Sequence, residues 1–158
     1  MKVVMKVNGQ KLEYDTHEQL TFDVEYVFDE LGTQPGQLAW WHSLLSYKDE
    51  EANNFKANME SKIAQKELAL RGDQTTLVAL YGKVTEGVIS AVLAGDPEIL
   101  ELKQQHNELL RDASLLKAMT RGFETRSVLL ATASSAQKAE IQARLRSMMK
   151  KTDQEGSN

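Results

Sequence analysis

Residues 97–130 read PEILELKQQHNELLRDASLLKAMTRGFETRSVLL, and the fold turns on this stretch. Leu102, Leu109, Leu116, Phe123 and Leu130 fall seven apart, the spacing that holds one side of an α-helix against a partner helix. The intervening positions are poorer in apolar groups (Gln105 and His106, Asp112 and Ala113, Thr120). The pattern therefore predicts a broad helix-on-helix face and not an ideal two-stranded coil. Just upstream, Gly95-Asp96-Pro97 is a helix end, an N-cap and a proline suited to the first turn of a new helix. Downstream, Gly122 is the single strong breaker before Gly156. Ala131 to Ala136 is small and polar, which suits a bend or a close helix contact. Ile141, Leu145 and Met148 form a second short amphipathic stripe.

Moving towards the N-terminus, Thr85 is positioned to cap a helix over Glu86 to Ala94. A long helix is expected from near Gln37, because Leu38, Trp41, Leu45, Ala52, Phe55, Met59, Ile63 and Leu70 recur at steps of three, four or seven. It either pauses at Arg71-Gly72-Asp73 or runs on to Tyr81. Asp23 can cap a short helix, Val24 to Leu31, that stops at Gly32 with Pro35 beyond. Residues 3–14 are two strand-like runs around Asn8-Gly9, a β-hairpin signal.

The fold class is thus mainly α, with long antiparallel helices and a small N-terminal β-hairpin. Thin helical pairs with stripes this long leave apolar surface that other copies of the chain would cover, which points to a homo-oligomer.

Composition narrows the function. The chain has 158 residues and no cysteine, which excludes disulfides, Cys-ligated zinc and thiol catalysis and suits a cytoplasmic protein, in the host cytoplasm if the source is viral. No apolar run approaches the ~20 residues of a membrane span. The net charge of −4 is uneven. Residues 1–60 hold 5 Lys/Arg against 11 Asp/Glu, residues 61–151 hold 14 against 10, and the tail adds −2. Local charge decides where a polyanion sits, so the acidic total leaves such a partner open.

Catalytic and metal signals are missing from the sequence. His17, His42 and His106 lie in different elements with no second ligand at helical spacing, so no metal or cofactor is expected. There is no phosphate-binding glycine loop and no nucleophile-elbow motif. Asp49-Glu50-Glu51 reads as a solvated helix face. An enzyme is not indicated. What remains is binding. Lys62 and Lys66 are four apart and share a helix face, Arg71 follows, then Tyr81 and Lys83, with Arg121 and Arg126 on the second long helix. Lys and Arg supply phosphate contacts, and an aromatic ring can stack on a base. The plainer alternative is a solubilising surface, since Glu67 neighbours these cations.

Three segments together resemble the UvsY-type recombination mediators of large tailed phages. GQLAWWHSLL opens a long charged helix that carries Ile63-Ala64-Gln65-Lys66 and Ala69-Leu70-Arg71, and VLAGDPEILELKQQHNELLRDASLLKAMTRGFETRSVLL is similar to the family's second half. The resemblance covers residues 21–133, leaving a hairpin at 1–20, a C-terminal helical extension at 134–151 suited to oligomerisation, and a tail at 152–158 expected to be disordered. It implies a ring of helical subunits (a heptamer is one candidate size) that binds single-stranded DNA. It also implies loading of a RecA-like recombinase onto strands coated with single-stranded-DNA-binding protein. Lys66 and Arg71, with Lys62 beside them, are then the expected DNA contacts, and Arg121 lies in the RGF stretch. The alternative is a non-enzymatic helical scaffold or assembly adaptor of a phage.

Overall fold

A computed structural model of the chain describes residues 2–7 and 9–155, with side chains for all of these except residues 74 and 150–155. It is mainly helical, 85%, with one small antiparallel hairpin. Strands β1 (Lys2–Val7) and β2 (Gln10–Asp15) alternate as a half-buried ribbon should, with Val3, Met5 and Val7 inward. Gly9 takes φ +75°, the left-handed conformation that its side-chain-free backbone adopts without strain; Asn8 lies outside the described residues.

Helix α1 (Thr16–Leu20) is capped by Asp15, whose carboxylate accepts from the His17 N–H at 2.8 Å. That backbone donor is the main reason its carboxyl lies below the usual aspartate value. A single 3-10 turn, Val24–Tyr26, is capped by Asp23. It leads directly into α2, Val27–Gly72, a helix of 46 residues. The break expected between Leu31 and Gln37 does not occur. Pro35 sits inside the helix, where it removes one backbone donor at a cost of about 3 kcal/mol. Packing on both sides offsets that cost: Val27 and Trp41 are buried, and the buried Gln34 side chain donates to the Phe123 carbonyl at 2.8 Å.

The pause at Arg71-Gly72-Asp73 is real. Asp73 caps α3 (Gln74–Tyr81), which ends on Gly82 at φ +73°. Thr85 caps α4 (Glu86–Gly95), accepting from the Val88 N–H. Asp96 caps α5, accepting from the Glu98 and Ile99 N–H groups at 2.9 and 3.2 Å, and Pro97 opens that helix as expected. Helix α5 (Pro97–Glu155) has 59 residues and runs without interruption through Gly122 and the small residues 131–136. Residues 152–155, expected as disordered, continue the helical backbone, because nothing before Gly156 stops it. Residues 156–158 lie outside the described residues.

The chain forms two compact units that do not follow chain order. Unit 1 comprises Met1–Lys6, Lys11–Ser43 and Lys117–Asn158, and unit 2 comprises Val7–Gln10 and Leu44–Leu116. In unit 1 the α2 and α5 segments run antiparallel, and Trp41 is the centre, with Tyr14 edge-on at 4.8 Å and Phe123 at 5.7 Å. Gly122 lets Leu20 approach closely: a Cβ at that position would stand 2.8 Å from the Leu20 side chain, which would have to shift. In unit 2 the α2 and α5 segments are again antiparallel, and the core holds Ala52, Met59, Leu77, Ile89, Ile99, Ala113 and Leu116. Phe55 stacks on His106 at 6.3 Å. Among the described residues no single helix is both long and apolar enough to cross a membrane.

Candidate nucleic-acid interface

The α2 turn spacing puts Lys62 and Lys66 on one face of the helix, as expected, while Arg71, five residues after Lys66, lies on another. What faces them was not expected. The α4–α5 junction that Asp96 caps also aims carboxylates at α2. Lys66 Nζ lies 2.7 and 2.6 Å from the two Asp96 carboxylate oxygens and 2.8 Å from Glu98. Lys62 Nζ is 3.2 Å from the other Glu98 oxygen. Arg71 forms a two-pronged pair with Glu86, both bonds at 2.7 Å, and donates to Glu67 one turn behind it.

Two groups result: Lys62 and Lys66 balance Asp96 and Glu98, and Arg71 meets Glu67 and Glu86, one carboxylate more than its own charge. The titration behaviour follows. Lys66 lifts above the usual lysine value chiefly through Asp96, then Glu98. Asp96 and Glu98 fall below theirs chiefly through Lys66. Arg71 rises, and Glu86 falls because of Arg71. These side chains keep water contact, so each pair is weak individually. Together they clamp the end of α2 to the first turns of α4 and α5. A phosphate reaching any of the three must first displace a carboxylate.

The remaining candidates separate into two kinds. Tyr81 ends α3 half-exposed, and Lys83 stands exposed in the connection to α4 with no ion-pair partner among the described residues. Arg121 is likewise exposed on α5 in unit 1, with no ion-pair partner among the described residues. Arg126 must be corrected. It is only 4% exposed, bonds Glu30 at 2.6 Å and Gln37 at 3.3 Å, contacts the Gln34 side-chain oxygen, and lies over the Phe22 and Phe123 rings. It holds unit 1 together and offers nothing to DNA as it stands. The signal was in the sequence: Arg126 falls between Phe123 and Leu130 at steps of three and four, on the core face.

A second buried cation was missed for the same reason. Lys48 lies seven residues after Trp41 and seven before Phe55, on the inward stripe. Its side chain is 2% exposed, with Nζ 2.9 Å from Glu51 and 3.7 Å from Asp112. The histidines do not converge: His42 stands 3.7 Å from Glu124, while His106 stacks on Phe55. Among the described residues no group of three or more His, Asp or Glu could hold a metal ion. Comparisons with protein-family models, with curated proteins and with solved structures found no match.

Proposed function

We propose that this chain is a non-enzymatic, self-assembling protein that binds single-stranded DNA and acts as a recombination mediator. In that role it helps a RecA-like recombinase onto strands coated by single-stranded-DNA-binding protein, in a cytosol, the host's if the source is a phage. One observation carries the reading. The segments that resemble the UvsY-type family are the two halves of one buried contact, Trp41 of AWWHSLL against Phe123 of the RGF stretch. Gly122, next to Phe123 in that stretch, is the position that Leu20 packs against. That motifs far apart in sequence meet in one core supports reading them as parts of one scaffold.

On this reading Arg121 and Lys83 offer charge to phosphate at once, and Tyr81 offers a ring for stacking. Lys62, Lys66 and Arg71 join by exchanging exposed carboxylates for phosphates. Each site is weak, and repetition around a ring-like homo-oligomer supplies the affinity. The test is a titration of labelled single-stranded and duplex oligonucleotides at low and moderate salt. Binding should favour the single strand and weaken steeply with salt. Changing Lys83 and Arg121 together to Ala should lower affinity without loss of helix. Absence of binding by the wild type at low salt would end this reading.

A second reading has its own support. The pairing of Lys62, Lys66 and Arg71 with four carboxylates suits a phage scaffold or assembly adaptor with no DNA role. The same titration separates the two.

A further inference from the structure

Many cations of this chain are already answered by a carboxylate. Lys62 and Lys66 meet Glu98, Arg71 meets Glu86, and Lys48 and Arg126 are buried in ion pairs. Lys103, Lys117 and Arg121 differ. All three stand exposed on α5, and the charged end of each has no hydrogen-bond, ion-pair or ring partner among the described residues.

The helical repeat explains their exposure within each unit. In unit 1, α5 buries Met119, Thr120 and Phe123, which leaves Lys117, Arg121, Thr125 and Val128 on the side turned away from the core. Lys117 and Arg121 are one turn apart there, about 6 Å along the axis. In unit 2, α5 buries Ala113 and Leu116, and Lys103, Asn107 and Ser114 are exposed on the side away from them. No Asp or Glu is among these outward positions. Glu124, at the edge of the unit 1 face, lies 3.7 Å from His42, and Glu108, at the edge of the unit 2 face, accepts from Gln104 at 3.5 Å.

This placement sets an order among the candidate contacts. A phosphate arriving at Lys66 or Arg71 exchanges one anion for another and gains little. A phosphate arriving at Lys117 or Arg121 displaces only loosely held counterions, whose release drives strand binding. We propose that the outward face of α5 takes the strand, with Lys117 and Arg121 on neighbouring phosphates in unit 1 and Lys103 on a phosphate in unit 2. The occupant is single-stranded DNA. Its charge complements a face that carries no acid, and exposed Leu110 and Val128 offer apolar contact to unpaired bases, which a duplex keeps stacked inside. This rests on the DNA-binding part of the proposed function and names where that binding begins.

Full-length variants test it by fluorescence anisotropy of a labelled single-stranded oligothymidylate over a series of salt concentrations. Circular dichroism checks that each variant is folded. Lys117→Ala, Arg121→Ala and Lys103→Ala should each flatten the slope of log affinity against log salt by about 0.7 for every subunit the strand touches. Lys56→Ala removes a cation from α2, where Glu60 lies 3.8 Å away, and should keep the wild-type slope. Equal flattening in Lys56→Ala means that net charge alone governs binding and overturns the face. A wild-type slope in the variant that combines Lys117→Ala with Arg121→Ala also overturns it, while DNA binding itself stands. No binding by the wild type at low salt overturns both this face and the function it rests on.

Discussion

Replacing Arg126 with Met keeps most of the side-chain volume in unit 1 and removes the charge and every donor. The Gln34 side-chain oxygen, on a residue 2% exposed, loses its guanidinium partner, and an unmet buried acceptor costs about 1–3 kcal/mol. Glu30 keeps 29% of its side chain in water, so the lost ion pair adds about 1 kcal/mol or less. Part of this is returned, because the Arg126 Nε is itself buried without a hydrogen-bond partner. Met also keeps a polarizable contact with the Phe22 and Phe123 rings. The balance is a loss of about 2 kcal/mol, and Arg126→Ala should lose about 1–2 kcal/mol more for the vacated volume. Urea unfolding followed by circular dichroism, at one protein concentration so that assembly does not shift the result, measures both. The oligonucleotide titration should give the same salt slope for Arg126→Met as for wild type. A variant of unchanged stability with a shallower slope would refute the reasoning, since Arg126 would then be reaching phosphate and not holding the core.

Two further perturbations address other parts of the molecule. Asp96 and Glu98 lie below the ordinary values of 3.8 and 4.5 because of Lys66, so their contribution to stability is complete above those values and is lost as pH falls through the lowered ones. Wild type should lose stability on acidification below about pH 4 more steeply than Lys66→Ala; urea midpoints at pH 3, 5 and 7 measure this, and equal steepness removes Lys66 from the clamp. Gly122→Ala gains about 1 kcal/mol of helix propensity but presses a methyl group against Leu20, at a cost of about 1–3 kcal/mol. It should destabilise wild type and stabilise a Leu20→Ala background, and the same sign in both backgrounds would remove the close approach as the reason for this glycine.

Much of this fold was legible because its signals are periodic. The stripe from Leu38 to Leu70 and the run from Leu102 to Leu130 both lie inward, with none of the named positions exposed. The caps Thr85 and Asp96 are readable because an oxygen side chain precedes each apolar run. The start of α2 was hidden, because Gly32 and Pro35 are local breakers and the contacts that overrule them come from residues about ninety positions away, Phe123 and Arg126. The site was legible only by residue type. Lys62, Lys66 and Arg71 announce positive charge, but the carboxylates that cancel it stand on α4 and α5 and on the preceding turn of α2. Their meeting is a tertiary fact. The burial of Lys48 and Arg126 could have been read from heptad phase, had a charged residue at an inward position been taken at face value.

The division into two units has a consequence for synthesis. Unit 2 is one continuous piece of chain apart from the hairpin tip, ending at Leu116. A nascent chain that has emerged as far as that residue already holds every part of it, including the Lys66–Asp96 pair, which closes over only 30 positions. Unit 1 waits. Its Glu30–Arg126 pair spans 96 positions, and neither Trp41 nor Gln34 has its Phe123 partner until the second long helix is well under way. Loop closure therefore orders the birth of this protein from its middle outward, with the first-made strand and the last-made helix arriving at their unit together.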